Sequence, residues 1–219
     1  MTAAPDRPTS AVPDGVDHLI YIVPDLEAGI ETVHDMLGVQ PVVGGRHSDY
    51  GTRNALLSLG PATYLEIMAP DRELASPPQG RLFGLDALKR PRLAAWILRA
   101  EDIESLADRA NQAGLGLGEP TPGSRERPDG TVLSWKLTDP YASRMGGVVP
   151  FLIAWGDTPH PATQAPRAGS LAGLRIEHPE PKAVSAALKV LGLVMDVRGG
   201  GAPRLIASIR CGDRVVELR

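Results

Sequence analysis

Apolar and polar positions in the first third of the chain predict a strand followed by a helix. Residues 16–23 are mostly apolar and rich in Val and Ile, which favours a strand. Pro24 ends this run, and Asp25 is a predicted helix N-cap. The apolar residues that follow share one helical face, with spacings of four, three and four: Leu26, Ile30, Val33 and Leu37. Gly38 comes next, where a left-handed C-terminal residue is expected.

The residues after this helix predict three more strands. Short apolar runs occupy 39–43, 53–59 and 64–68. The breaks between them contain Gly44-Gly45, a predicted turn or bulge, and Gly60-Pro61, a predicted turn. Because the connections are short, the strands and the helix suit one compact β-α-β-β-β module.

The same order of elements recurs further along the chain. A strand-like run at 93–98 precedes Asp102, a second predicted N-cap, and an amphipathic helix over 103–115. The segment 44–52 aligns without a gap on 123–131, with Gly, Arg, Gly and Thr at the same offsets. This agreement indicates an internal repeat.

A third, shorter copy follows, and the three copies together predict an α+β fold of tandem modules with a mixed sheet. In this copy the pattern predicts strands at 171–176, 205–209 and 214–218, a helix at 181–191, and a turn at Gly199-Gly200-Gly201. The predicted organisation, in chain order, is a disordered tail (1–14), a first module (15–70), a connector (71–91), a second module (92–156), a linker (157–169) and a third module (170–219).

Composition excludes several classes of protein. The chain has 219 residues and a net charge of −3, with no cluster of Lys and Arg, so we expect no nucleic-acid partner. A single cysteine, Cys211, excludes an internal disulfide framework and a cysteine-based zinc cluster. The apolar runs have the length of strands, and the first residues lack the apolar core of a signal peptide. We therefore expect a cytoplasmic protein without a membrane partner.

Several motifs in the first two modules resemble those of a known family. They are Asp17-His18-Leu19, Gly45-x-His47-x-x-x-Gly51-Thr52-x-Asn54, Tyr64-Leu65-Glu66-Ile67 and Pro150-Phe151-Leu152-Ile153-Ala154-Trp155-Gly156. Together they resemble the glyoxalase-like domain proteins of the vicinal-oxygen-chelate superfamily. The resemblance implies paired modules whose curled mixed sheets form a cup around a site for a small-molecule ligand.

The resemblance also implies a metal site in which each module gives one ligand from its first strand and one from its last. His18 and Glu66 match the pair of the first module, and His47 is the nearest further candidate ligand. The matching positions of the second module fall near Ala95 and Leu152, and neither side chain can bind a metal. A divalent metal such as Mn, Fe, Ni or Zn is the implied cofactor.

A metal-free reading of the same residues stays open. His18 and Glu66 then form a hydrogen-bonded pair, and Glu66 acts as a general base whose pKa is raised by burial. Asn54 is a candidate donor to a substrate carbonyl, with strand-end hydrogen bonding as its alternative, and Arg53 is placed beside it on the cup wall. Trp135 is the tryptophan chosen to line the ligand site, with core packing as its alternative.

Three other polar residues are expected to have no catalytic role. Arg46 and Arg125 recur at equivalent places in the repeat, which favours a structural role, and His160 is expected to be structural or solvated.

Two functions from different classes fit this sequence. One is a glyoxalase-like enzyme, of lyase, isomerase or dioxygenase type, that acts on a small oxygen-rich metabolite through His18 and Glu66. The other is a non-catalytic protein that binds or sequesters a small molecule. The missing ligands of the second module favour binding, whereas the retained imidazole and carboxylate favour the enzyme, which we expect. The odd third module either packs on the outside of the cup or pairs with another subunit, so a homodimer is predicted.

Overall fold

The computed structural model describes residues 12–127, 129–142 and 144–219. Most of the predicted tail, residues 1–14, lies outside the described residues. The first module contains these elements: β1 (Val16–Ile22), α1 (Leu26–Leu37), β2 (Val42–His47), β3 (Thr52–Ser58) and β4 (Tyr64–Pro70). Helix α1 has the predicted ends, because the Asp25 side chain accepts a hydrogen bond from the Ala28 amide and Gly38 is left-handed with φ 78°.

The second module and the C-terminal region repeat this order of elements. The second module contains β5 (Arg92–Arg99), α2 (Ile103–Gln112), β6 (Thr121–Glu126), β7 (Val132–Leu137) and β8 (Phe151–Ala154). The C-terminal region contains β9 (Ser170–His178), α3 (Pro181–Val190), β10 (Val197–Gly199), β11 (Arg204–Cys211) and β12 (Arg214–Leu218).

The first two modules close into one barrel with the strand order β1-β4-β3-β2-β6-β7-β8-β5. Within each module the first strand runs parallel to the last, as β1 does to β4 and β5 to β8. The modules join through the antiparallel pair β1–β5 and through a contact of β2 with β6, where Arg46 faces Glu126. The predicted α+β fold with a curled mixed sheet is confirmed.

Three predicted boundaries differ from the structure. Strand β2 lies at Val42–His47 instead of 39–43, and Gly44-Gly45 forms a bulge inside it, because pairing with β3 continues past the glycines. Helix α2 ends at Gln112 instead of 115, and the left-handed Gly114 follows, with φ 84°. Gly199, predicted in a turn, ends strand β10, which pairs in parallel with β9.

The C-terminal region forms a separate four-stranded sheet with the order β10-β9-β11-β12. Its first strand pairs with β10 and β11, whereas β1 of the first module pairs with β4 and β5. The sheet packs on the outside of the barrel, where the Leu93 amide of β5 donates to the Arg219 carbonyl at 2.8 Å. One apolar core runs from the barrel strands and helices into this sheet.

A second apolar cluster lies inside the barrel, on the inner faces of β1, β4, β5 and β8. Because side chains on a strand alternate between its two faces, these four strands contribute to both the outer and the inner cluster. In the described residues, no helix combines the length and the apolar character needed to cross a membrane.

Candidate functional site

The inside of the barrel holds a cavity of about 560 Å³, a volume that includes its opening. Its wall combines a small polar group with a larger apolar and aromatic surface. The polar or ionisable residues on it are His18, His47, Tyr50, Tyr64, Glu66 and Arg125, and the remaining lining residues are Ile20, Met68, Leu82, Phe83, Ile97, Trp135, Leu137, Pro140, Phe151, Ile153 and Trp155. An apolar pocket with a few convergent polar groups is typical of a small-molecule site.

Glu66 lies at the centre of the polar group. It projects from β4, and its Oε2 is 3.5 Å from His18 Nε2 on β1. Its Oε1 is 3.7 Å from His47 Nε2 at the end of β2 and accepts a hydrogen bond of 2.6 Å from the Asn54 amide on β3. Three neighbouring strands therefore direct two imidazoles and one amide to a single buried carboxylate.

These neighbours change the ionisation of Glu66. Burial acts to raise the pKa of Glu66, but the imidazoles of His47 and His18, the Asn54 amide and the Arg125 guanidinium outweigh it, and the pKa is lowered. The prediction that burial raises this pKa is therefore wrong, because it left out the groups that stabilise the anion. Glu66 is ionised at neutral pH and can accept a proton.

His18 is held by a carboxylate that sequence reasoning did not select as a site residue. Asp17 is fully buried, and its Oδ1 lies 2.8 Å from His18 Nδ1. Its Oδ2 lies 3.1 Å from Trp155 Nε1 and 3.1 Å from His160 Nε2. Because an ionised carboxylate only accepts hydrogen bonds, Nδ1 of His18 carries the proton and Nε2 faces Glu66.

Asp17 stays ionised despite its burial. Burial acts to raise the pKa of Asp17, but the hydrogen bonds and charges of His160 and His18 outweigh it and hold the pKa well below its usual range. His160, predicted as structural or solvated, thus ties the segment after β8 to the residue that orients His18. In the sequence, only the adjacency of Asp17 to His18 could have indicated that Asp17 orients His18.

His47 is buried and held as a neutral imidazole. Its Nδ1 lies 3.1 Å from the Thr52 hydroxyl. Burial is the main cause that lowers the pKa of His47 to about 4, and Arg125 and His18 add to it, while Glu66 opposes it. His47 therefore offers a neutral Nε2 to the cavity at neutral pH.

Arg125 was expected to have a structural role, and the structure places it in the cavity wall. It is 4 % exposed, and burial lowers its pKa. Neither Nε nor Nη2 of Arg125 has a hydrogen-bond partner within the described part of the chain. Its counterpart in the repeat, Arg46, lies on the surface and forms ion pairs with Asp71 and Glu73.

The other predicted ligand-binding residues divide into two groups. Trp135 lines the cavity, as predicted, and its ring contacts the ring of Trp155 at 5.5 Å. Asn54 lies behind Glu66 and donates to it, and it is not part of the cavity wall. Arg53 lies on the opposite face of β3 from Asn54, where it forms an ion pair with Glu27 of helix α1. The placement of Arg53 on the cup wall is therefore wrong.

Apart from Arg125, the wall from the second module is formed by apolar and aromatic residues, and they are not the residues matched from the sequence. Leu152, the predicted match of Glu66, packs in the outer core, because Phe151 and Ile153 of β8 face the cavity. Ala95 faces the inner cluster, and Ile97, two residues further along β5, lines the cavity.

The donor set does not fit the two-module metal centre that the resemblance implies. All three predicted ligands come from the first module, and β5 and β8 of the second module add only carbon atoms, from Ile97, Phe151 and Ile153. Among the described residues, no group of three or more His, Cys, Asp or Glu is arranged to hold a metal ion. The charge of Arg125 in the same cavity also opposes a divalent cation.

The connector between the modules also reaches the cavity, which its sequence did not predict. Leu82 and Phe83 lie on a short 3₁₀ segment of the connector and line the cavity. Arg81 fixes this segment by donating to the Gly51 carbonyl at 2.6 Å and to the Leu74 carbonyl at 2.7 Å. A connector rich in Pro and Gly gives no periodic signal that could have indicated this contact.

Comparison with solved structures gives fold relatives. A hypothetical protein from Staphylococcus aureus has 16 % identity and a TM-score of 0.67, over 93 % of this chain and 98 % of its own. Methylmalonyl-CoA epimerase from Mycobacterium tuberculosis has 26 % identity and a TM-score of 0.43, over 65 % of this chain and 89 % of its own. A Streptomyces coelicolor methylmalonyl-CoA epimerase variant has 18 % identity and a TM-score of 0.47, over 68 % of this chain and 100 % of its own.

Comparison with protein families is more specific. None of the curated proteins matches the chain significantly. The model of a family described as glyoxalase-like domain matches residues 16–192, which include the whole barrel and the first part of the C-terminal sheet. The chain therefore belongs to the glyoxalase-like domain family of the vicinal-oxygen-chelate superfamily.

Proposed function

We propose that the barrel cavity is an active site for proton transfer on a small oxygen-rich molecule, with Glu66 as the general base. The observation that carries the proposal is the position of Glu66, a buried and ionised carboxylate among two imidazoles and an amide on the wall of an apolar cavity. A residue with a shifted pKa in such a cavity is a candidate for catalysis.

The proposed chemistry begins with removal of a proton from a carbon next to a carbonyl group. Glu66 takes this proton, and Nε2 of His18, 3.5 Å from Oε2, is the acceptor that can exchange the proton with the protonated carboxyl. Asp17 fixes the orientation of His18 through the hydrogen bond to Nδ1. Isomerisation follows when the proton returns at another position or face, and elimination follows when a leaving group departs. Isomerase and lyase reactions both start with this step.

Binding without catalysis is the second candidate, and the apolar wall of the second module favours it. Ile97, Phe151 and Ile153 offer shape and apolar contact but no group that can take part in a reaction. A pure binding protein does not, however, need an ionised carboxylate that keeps three polar neighbours buried, since burying such groups costs free energy. The same experiment separates the two candidates.

Hydrogen–deuterium exchange at carbon tests the proposal without knowledge of the natural substrate. A panel of small 2-oxo acids, 3-oxo acids and hydroxyketones is incubated with the protein in deuterated buffer, and loss of the C–H signal is followed by NMR. We expect exchange with at least one compound and a loss of about 100-fold or more in the Glu66→Gln variant. Equal exchange rates in both proteins would exclude Glu66 as the base.

Two controls make the result specific. Glu31→Gln, on the exposed side of helix α1, should leave the exchange rate unchanged. The wild-type protein is also assayed after treatment with a chelator, and its metal content is measured. Persistent exchange supports acid–base chemistry by the chain itself. Loss of exchange that Mn, Fe, Ni or Zn restores would instead support the divalent cofactor that the family resemblance implies.

A further inference from the structure

The guanidinium of Arg125 has no role in the proton transfer proposed for Glu66. We infer that Arg125 binds a carboxylate group of the ligand, and that the ligand is a small organic acid with an apolar body. The inference rests on the proposed function only in taking the same cavity as the site. Its main support is the pattern of hydrogen-bond partners around Arg125.

No side-chain hydrogen bond joins the Arg125 guanidinium to another described residue, and its Nε and Nη2 are buried without a partner. Nε and Nη2 form the side edge, whose two parallel N–H groups match the two oxygens of a planar carboxylate. Nη1 belongs to the other side and lies near Gly44 on β2. A guanidinium without partners in the cavity wall is therefore able to take a carboxylate through two N–H groups.

A second buried arginine shows how the chain treats such a group when its role is structural. Arg144 also has two buried nitrogens without partners, Nε and Nη1, but it donates through Nη2 to the carbonyls of Asp139 and Leu117, and its guanidinium lies 4.2 Å from the centre of the Phe151 ring. Arg125 has no such carbonyl partner in the described structure, and no ion pair within 4.0 Å joins it to Glu66. A buried charge without partners is costly, and a bound anion removes that cost.

The rest of the wall determines the body of the ligand. Opposite the polar group, the cavity is lined by aromatic and aliphatic side chains, which include Phe83, Trp135 and Trp155. Such a surface favours an apolar group over a sugar or a nucleotide. Glu66 repels an anionic group and Arg125 attracts it, so the carboxylate is drawn to Arg125 and the neutral part of the ligand to Glu66.

Matched acids and amides test the inference in the full-length protein. The probes are 3-phenylpropanoate and 4-methylpentanoate, their primary amides, and phenylphosphonate as a tetrahedral anion. Binding is followed by tryptophan fluorescence, since Trp135 and Trp155 line the cavity, and by the shift in melting temperature. We expect the acids to bind at least about 10-fold more tightly than the amides or the phosphonate.

Variants at two arginines, Arg125 and Arg53, test whether Arg125 is the residue that binds the carboxylate of the acids. Arg125→Met should weaken binding of the acids by about 10- to 100-fold and leave the amides unchanged, and Arg125→Lys should recover only part of the loss. Arg53→Met, whose side chain lies outside the cavity, should bind the acids as the wild type does. If Arg125→Met does not fold, the comparison of acid with amide in the wild type still tests whether the cavity selects a carboxylate.

Several results would overturn the inference. They are equal binding of acid and amide, tighter binding of the phosphonate, unchanged acid binding in folded Arg125→Met, and no binding of any acid up to about 10 mM. The proposed function fails separately. Glu66→Gln should abolish carbon exchange and keep acid binding. Carbon exchange without a preference for acids would contradict only the role of Arg125. A preference for acids without carbon exchange would contradict only the proposed function.

Discussion

At the scale of single residues, the site depends on how buried charges are balanced. Glu66 and Asp17 both remain ionised inside the protein because each receives polar contacts from neighbouring side chains. His47 shows the opposite behaviour, since burial lowers its pKa to about 4 and keeps it neutral. In acid both arrangements lower the free energy of unfolding, because these three groups bind protons more strongly in the unfolded chain than in the folded protein.

This balance predicts how stability depends on pH. The unfolded chain protonates His47 below about pH 6.5, whereas the folded protein resists protonation until about pH 4. The free energy of unfolding should therefore fall as the pH drops from about 6.5 to about 4, by up to about 3 kcal/mol from this residue. Urea unfolding at several pH values measures the change.

Two histidine variants make this prediction specific. His47→Gln should flatten the pH dependence, because no imidazole then takes up a proton at this position on unfolding. His34→Gln, on the exposed side of helix α1, should keep the wild-type dependence. A pH dependence in His47→Gln as steep as that of the wild type would contradict the assignment to His47.

Sequence reasoning selected part of this residue network. Strand periodicity and the family motifs brought His18, His47 and Glu66 together, and the structure places both imidazoles within 4 Å of the Glu66 carboxylate. The same reasoning put Arg53 in the wall and gave Arg125 a structural role. The placement of Arg53 failed because side-chain direction depends on register and on local bulges, and a one-residue shift turns a side chain to the other face. The role of Arg125 in ligand binding stays a proposal.

At the scale of elements, the bulge in β2 brings the two modules together behind the site. Gly44 lies at this bulge, and a Cβ atom there would come closer than 3.0 Å to both Asn54 Oδ1 and Arg125 Nη1. The glycine thus allows β3 and β6 to place these two side chains next to the backbone of β2. The sequence predicted a turn or bulge at this position, but not the close approach of Arg125.

This close approach predicts the effect of a small substitution. Gly44→Ala should lower stability by about 1–3 kcal/mol, because the added methyl displaces Asn54 and Arg125. It should also weaken both carbon exchange and acid binding. Thermal unfolding and the two assays described above measure these effects. Gly201→Ala is the matched control, since a Cβ atom at Gly201 meets nothing within 4 Å, and equal behaviour of the two variants would contradict the prediction.

The lengths of the elements were predicted less well than their order. Helix α1 was predicted from Leu26 to Leu37 and has these ends, because its cap and its terminal glycine are both encoded locally. Strand β2 was misplaced, because its length depends on pairing with β3, which is far less visible in the sequence. Local signals thus define helix α1, and strand ends depend on their partners.

At the scale of the whole molecule, the barrel and the C-terminal sheet share one core. The repeat predicted three modules, and it left open whether the third packs on the cup or on another subunit. In the structure β11 and β12 lie against β5 of the barrel, and the buried Leu93, Trp96, Leu174 and Leu205 belong to one apolar cluster. The predicted homodimer stays a prediction, which light scattering of the purified protein checks.

A shared core predicts that the barrel and the C-terminal sheet unfold together. The three tryptophans all lie in the second module, so their fluorescence reports on the barrel and, through Trp96, on the core that it shares with the C-terminal sheet, whereas far-UV circular dichroism reports on the backbone of both parts. We expect the two signals to give the same urea midpoint.

Leu205→Ala, a buried substitution in β11, should lower the midpoint in both signals by the equivalent of about 2–5 kcal/mol, although no tryptophan lies in its sheet. Val194→Ala, at a position 88 % exposed, should change neither signal. A fluorescence midpoint that does not respond to Leu205→Ala would show that the barrel is stable without the C-terminal sheet.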